Sequence, residues 1–434
     1  VIDTPIIPAP ATLRRPGRSA IRSGDGELFA VGSAAVAIAF LPLLVPRGPA
    51  NSAPADLCIA VAIWLALLWA SGTHRPLRFP YVVAATVFFV GGALGALAGP
   101  LPAAGAQALA QDVVLIAWCW TIVNVASSPW RLGVLLRAWV YSAVAWTVVL
   151  FAGLAAGMPM LTGQTAREGS RTSLTFGDPN IAANYFFISI MLIWATGCPR
   201  RRGLRLAAYA VLVAALLSTG SIEGLLTLGS GVAVASLAGV YRRSGPAPAL
   251  AGLALFLGAV VVAVAIVPFG PLQQRASESS LGFVRDGVGR VDQTAALRGP
   301  LLEENLRLYR SSGILGSGPA STKTRLETEM APFVKEAHND YLAAINERGL
   351  LGLLGVILLT GGVLLRAGSV VRAPLEPGTA SVIRHPEALL GAVVGVAQAM
   401  SFYELLHARQ VWTLFALVAA AQLMGTVAQK AERT

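Results

Sequence analysis

The stretch EAHNDYLAAINERGLLGLL, residues 336–354, gathers a histidine, an asparagine and several charged side chains directly before an apolar run. What lies around that junction sets the fold. Hydrophobic residues make up 55% of the 434 and charged residues 13%, where a soluble domain carries about a quarter charged residues. Apolar stretches of about 18 or more residues recur along the whole chain, as in a polytopic helical membrane protein. The polar cluster therefore stands at the mouth of a membrane span.

Twelve spans are expected, near residues 28–45, 56–71, 81–98, 106–126, 133–156, 180–197, 204–219, 221–240, 249–267, 350–366, 387–403 and 410–427. The fold class is all-α, a polytopic helix bundle of about 12 transmembrane helices with one large external loop containing short helices. The parts are a tail at 1–27, spans one to nine within 28–267, the long loop at 268–349, spans ten to twelve within 350–427, and a tail at 428–434. The proline-rich first tail reads as disordered. The first apolar run follows it and reads as a first span rather than a cleaved leader. Glycine, 45 residues in all, suits close helix packing in lipid. Cys58, Cys119 and Cys198 lie in or beside spans and suggest no disulfide framework.

The net charge of +11 is spread between apolar segments, as orientation signals are, and not gathered into a nucleic-acid surface. With twelve spans, 19 Lys and Arg fall on one side. The short loops of the other side hold only Arg47, Arg167, Arg171 and Arg409. The positive-inside rule then puts both termini in the cytoplasm and the segment 268–349 outside. A loop of that length is usually functional. Within it, PLLEENLRLYR has helical spacing and GILGSGPAST reads as a turn-rich connector.

Three polar clusters fall on that external side. In the opening stretch, Asn339 or Asp340 can cap a short helix through Ile345, and Gly349 is placed to end it. His338 then sits at the water-facing lip of the bundle. It either satisfies a helix end or, as a neutral imidazole, acts as a general base toward a hydroxyl group. Glu336, Asp340 and Glu347 are near enough in sequence to orient it. The second cluster, REGSRTSLTFGDPNIAANYF at 167–186, has Asp178 and Pro179 as a helix start. Arg171 before it is either a snorkelling interfacial residue or a phosphate ligand. The third, DQTAALRGPLLEENLRLYRSSGILGSG at 292–318, offers Arg298, Arg307 and Arg310 on what is otherwise a solvated helix face. Four histidines, His74, His338, His385 and His407, show no zinc-site spacing. There is no Walker loop, Rossmann fingerprint or nucleophile elbow, so ATP and nicotinamide have no visible site.

Taken in order, these pieces resemble the O-antigen ligase and Wzy-type polysaccharide polymerase superfamily. Its external loop ends in His-Asn-x-Tyr-Leu followed by Glu-x-Gly-Leu-Leu-Gly, matched by His338, Asn339, Tyr341, Leu342, Glu347, Gly349, Leu350, Leu351 and Gly352. An arginine before Phe-Gly-x-Pro-Asn is matched by Arg171 with Phe176, Gly177, Pro179 and Asn180. A loop arginine ahead of a Gly-x-Gly turn is matched by Arg298 before Gly316 and Gly318, with Arg307 and Arg310 as alternatives. The chain departs from the family at Ser218–Leu226, STGSIEGLL, where many members carry Ser-Arg-Gly and this chain has Glu223 but no arginine.

The resemblance implies a GT-C-like glycosyltransferase of the bacterial cytoplasmic membrane, working on its outer face without cofactor or metal. Its donor would be a glycan on a polyprenyl diphosphate; its acceptor, a glycan, lipid or protein hydroxyl; its other partners, membrane lipids and no nucleic acid. His338 would be the base, Arg171 and Arg298 the diphosphate ligands, and Asn339, Tyr341, Glu347 and Asn180 the support. Ligase and polymerase use the same site. The layout of twelve spans with the loop after the ninth leans toward the ligase. A transporter or flippase is the reading from another class, but no repeated halves are visible, and Asp112 is the exceptional midspan charge.

Overall fold

The computed structural model describes residues 18–431 except 47, 49–51, 74–76, 167, 288, 290 and 330–336. Side chains at 18–24, 264, 291–298 and 426–431 are outside the description. The first half of the described chain is α1 (Arg18–Ala39), α2 (Pro54–Ser71), α3 (Val82–Ala98), α4 (Pro102–Val125), α5 (Pro129–Ala155), the single turn α6 (Pro159–Thr162), α7 (Pro179–Thr196), α8 (Arg202–Ser218), α9 (Ile222–Ser244) and α10 (Pro246–Ile266). The long loop contributes α11 (Phe269–Ser277), α12 (Gly282–Asp286), α13 (Val291–Ser312) and α14 (Thr322–Thr328). The chain closes with α15 (Asp340–Arg372), α16 (Pro377–Val382), α17 (Pro386–Ala399) and α18 (Arg409–Ala431). Among the described residues there is no strand.

Each expected span coincides with a helix. Among the described residues seven helices are long and apolar enough to cross a membrane, namely α2, α4, α5, α7, α9, α10 and α15, and α3 and α17 are shorter apolar helices. Local chemistry explains many of the starts. Proline opens α2, α4, α5, α7, α10 and α17, at the one helical position where its missing N–H costs nothing. Ser128, Asp178, Ser221 and Asn339 cap α5, α7, α9 and α15 with side-chain oxygens, satisfying donors that the helix leaves over.

The first helix begins at Arg18, ahead of the apolar run and inside the tail expected to be disordered. α15 is two helices meeting at a kink, the expected short helix from Asp340 and the span after it, with the break at Gly349 as expected. That glycine has φ 65° and ψ −162°, and a Cβ there would lie 2.0 Å from the Ile314 carbonyl oxygen. Glycine alone fits both the angle and the approach.

Small residues bring the main helix pairs together. α3 packs along α15, where a Cβ on Gly91 would be 2.5 Å from the Gly352 nitrogen. α17 packs on α9 through Gly391, whose Cβ would be 2.3 Å from the Gly231 carbonyl oxygen. With no hydrophobic drive between helices in lipid, such contact is what holds them. α7 is enclosed at the centre, with Trp139 stacked 6.0 Å from Tyr185 and its indole N–H on Ser189 Oγ at 2.9 Å. Asp112 of α4 is not alone in the interior: Arg348 donates to it at 2.5 Å and lies 4.0 Å over the Phe88 ring. Removing either partner would strand the other charge in a low-dielectric interior.

Candidate active site

His338 is set immediately before the α15 N-cap with φ 50°. A non-glycine residue holds that left-handed conformation at a cost of about 1–3 kcal/mol, so the surroundings must enforce it. Its backbone N–H donates to Glu404 Oε1 at 3.1 Å. Its ring lies 5.1 Å from the Tyr403 ring, tilted by 52°. The next residue, Asn339, caps α15 by accepting from the Tyr341 and Leu342 N–H groups at 2.9 and 3.0 Å, and donates to the Ser401 carbonyl. Asp340 accepts from the Leu405 and Leu406 N–H groups at 2.8 and 3.1 Å. The turn between α17 and α18 is thus laced to the start of α15, and it carries Tyr403 and Glu404 up to His338.

The second cluster meets the first through Tyr403. Its hydroxyl donates a short hydrogen bond to Asp178 Oδ2. The other oxygen of Asp178 accepts from the Asn180 N–H at 2.7 Å, capping α7. Asn180 Oδ1 then accepts from Arg171 at 3.3 Å and from Ser221 Oγ at 2.8 Å. Arg171 also donates through Nε to the Thr219 carbonyl at 2.8 Å and pairs with Glu168 at 3.0 Å. Its side chain is 15% exposed, and three of its five N–H donors are engaged, leaving two. The guanidinium rests on the Ser218–Ser221 turn, the place where the family resemblance leads one to look for a further arginine. Gly220 in that turn has φ 59°, and a Cβ would come within 3.2 Å of Arg171 Cγ.

From beyond the membrane helices, Asp286 of α12 reaches the Arg171 loop. Its Oδ2 accepts from the Ser170 N–H at 3.0 Å and hydroxyl at 2.6 Å. These bonds, the Ser170 hydroxyl above all, hold the carboxyl down at about 2.

Glu347 supports a different part. Its carboxylate accepts from the Ala320 and Thr322 N–H groups at 2.9 and 3.2 Å. Backbone bonds from Ser317 to Asn346 and from Gly318 to Glu347, at 2.8 and 2.9 Å, complete the clamp. It ties the GILGSGPAST connector onto α15. Both expected orienters within the described residues, Asp340 and Glu347, are therefore committed to backbone donors; Glu336 lies outside the description. Tyr341 stands one residue inside α15, half-buried, with its hydroxyl 3.4 Å from the Ala397 carbonyl.

The loop arginines divide. Arg298 belongs to the backbone of α13, and its side chain lies outside the described residues. Arg307 pairs with Glu304 at 2.8 Å and Glu329 at 2.5 Å, and its hydrogen bond holds the Glu329 carboxyl below the usual range. Arg310 is exposed. Sequence reasoning missed Tyr403 altogether. The dense run of polar and aromatic residues in Ser401–His407, between two apolar helices, was the available signal. Among the described residues no group of three His, Cys, Asp or Glu side chains is arranged to hold a metal.

The fold and these clusters define a polytopic helical membrane protein with a polar site at one end of its bundle. Residues 207–357, from α8 through the first half of α15 and including His338, match the O-antigen ligase family. That match, over about a third of the chain, supports the resemblance to the O-antigen ligase and Wzy-type polymerase superfamily. No curated protein matches the chain.

Proposed function

We propose that the protein transfers a glycan from a polyprenyl diphosphate to an acceptor hydroxyl at the external membrane surface, as an O-antigen ligase does. His338 removes the acceptor proton as that oxygen attacks the anomeric carbon from the face opposite the diphosphate. The carbon–oxygen bond to the diphosphate breaks, its electron pair leaves with the polyprenyl diphosphate, and the anomeric configuration inverts. A diphosphate is already a good leaving group, so the larger demand is for positioning and for cations where charge gathers. Arg171 meets that demand with its two remaining donors. Arg298 is the second cation; Arg307 is disfavoured by its two carboxylate partners. Asn180 and Asn339 hold the two ends of the site, Glu347 holds the loop, and Tyr341 packs beneath. No metal has a part in this scheme.

The observation that carries the reading is the chain of hydrogen bonds and ring contact His338–Tyr403–Asp178–Asn180–Arg171. It joins the two residues to which this reading gives the roles of base and phosphate ligand, far apart in sequence. The O-antigen ligase match over 207–357 supports it independently.

The test is to delete the gene, complement with wild type or His338→Ala, and analyse lipid-diphosphate glycans by mass spectrometry. Long finished chains should accumulate in the deletion and in the variant alike. Accumulation of single repeat units would instead assign polymerisation of lipid-linked repeats. A normally expressed His338→Ala that restores the wild-type profile would remove His338 as the base. An unchanged lipid-linked pool in the deletion would point to transport of the glycan rather than transfer.

A further inference from the structure

At the end of the bundle opposite His338, the start of α3, the last turns of α15 and the last turns of α18 enclose a groove of about 330 Å³. Tyr81, Val83, Leu358 and Leu365 make its apolar walls, and Gly362 leaves room between them. Tyr81 is fixed as a wall by its hydroxyl, which donates to the Phe415 carbonyl at 3.0 Å. One corner is polar, formed by Arg366, Ser369 and Gln422.

The charge in that corner is unbalanced. Arg366 donates to Gln422 Oε1 and to the Pro80 carbonyl and sits 5.4 Å from the centroid of the Tyr81 ring. All of these partners are neutral. Elsewhere among the described residues, half-buried or buried arginines meet carboxylates: Arg131 with Glu27, Arg171 with Glu168, Arg325 with Glu329, Arg348 with Asp112, and Arg409 with Asp56. Arg205, the other exception, donates to the Gly197 carbonyl at the C-terminal end of α7. A guanidinium partly withdrawn from water, with spare N–H donors and an apolar slot beside it, is complementary to a phosphate that carries a hydrocarbon chain.

We propose that this groove binds an anionic glycerophospholipid, its phosphate on Arg366 and Ser369 and one acyl chain along Tyr81, Leu358 and Gly362. The occupant is a lipid of the leaflet at that end and not the glycan donor, because the groove and His338 lie at opposite ends of α15. Arg366 is the last basic residue of α15 before Arg372, at the level where such side chains reach the headgroups. The inference is independent of the proposed glycosyl transfer.

The test uses full-length protein, delipidated in neutral detergent and titrated with dioleoylphosphatidylglycerol under native mass spectrometry. Wild type should retain one tightly bound lipid per chain and bind dioleoylphosphatidylcholine more weakly. Arg366→Gln should lose about tenfold in affinity for that lipid, the scale of one charge-assisted contact, and Arg366→Lys should lose less. Gly362→Leu, which keeps the arginine and fills the slot, should lose the lipid as well; its Cβ meets only ordinary contact, 3.8 Å from Tyr81. Equal binding by wild type and both Arg366→Gln and Gly362→Leu overturns the site. Loss in Arg366→Gln alone overturns the acyl slot, and complete displacement by inorganic phosphate overturns a lipid in favour of a free anion.

Discussion

The hydroxyl of Tyr403 donates to the carboxylate of Asp178 across 225 residues of sequence. Tyr403 lies in the turn that presses its ring on His338, and Asp178 caps the helix whose second residue accepts from Arg171. The pair is the keystone between the two polar clusters. In the proposed transfer it sets the distance between base and leaving group.

Tyr403→Phe keeps the ring against His338 and removes only the bond to Asp178. A hydrogen bond to a charged group contributes about 1.5–3 kcal/mol, so transfer by purified enzyme from lipid-linked donor should fall about 10- to 100-fold. Tyr403→Ala should fall further, since the imidazole then loses its packing. Wild-type rates in Tyr403→Phe would show that the bridge does not position the site.

Glu404 holds the strained residue by its backbone. Glu404→Gln retains an oxygen acceptor and should keep most activity, whereas Glu404→Ala should lose about tenfold or more as His338 relaxes out of its left-handed conformation. The split between the two variants is the diagnostic, read as kcat at saturating donor. A kcat equally low in both would mean that the carboxylate charge, not the backbone contact, matters.

Arg171→Lys preserves charge but cannot reproduce a fork that reaches Thr219, Asn180 and Glu168 together. A loss of about 100-fold in kcat/KM is expected, chiefly through KM for the donor if the residue binds the diphosphate. Arg307→Ala is the control. It is exposed and paired, so its effect on transfer should stay within about twofold, as for a surface ion pair.

The clamp on α15 is a matter of folding. Gly349→Ala puts a methyl group 2.0 Å from the Ile314 carbonyl oxygen at a positive φ. It should lower the thermal midpoint more than Glu347→Gln, which retains part of the acceptor capacity for Ala320 and Thr322. Both can be read by thermal unfolding in detergent. A Gly349→Ala protein as stable as wild type would show that the connector yields to the methyl group.

Asp286 predicts a pH effect outside the membrane helices. Its folded value, about 2, lies below the ordinary 3.8. Its stabilisation is therefore fully present above about pH 4 and is lost as pH falls through about 2. Hydrogen exchange at the Ser170 amide should show protection at neutral pH that is lost near pH 2. Asp286→Asn should reduce that protection at neutral pH and erase its low-pH change. An unaltered pH dependence in Asp286→Asn would remove Asp286 as its source.

Much of this architecture is written in local chemistry. Apolar run lengths predict the helices. Prolines at first positions and the oxygens of Asp178 and Asn339 predict where α7 and α15 begin, and Gly349 announces the break. These signals act over a few residues, through backbone donors and helix period, so they survive in a sequence read alone. His338 and Arg171 stand out for the same reason, as polar residues beside spans. Tertiary structure decided which of those clusters meet. Tyr403 reaches Asp178, Arg348 neutralises Asp112 across 236 residues, and Glu329 takes Arg307 away from the candidate cations. Each pairing depends on how helices dock through small residues, and no local pattern encodes it. The sequence by itself determined the helices and the candidate chemistry; only packing decided which polar groups hold one another and which arginines remain for a ligand.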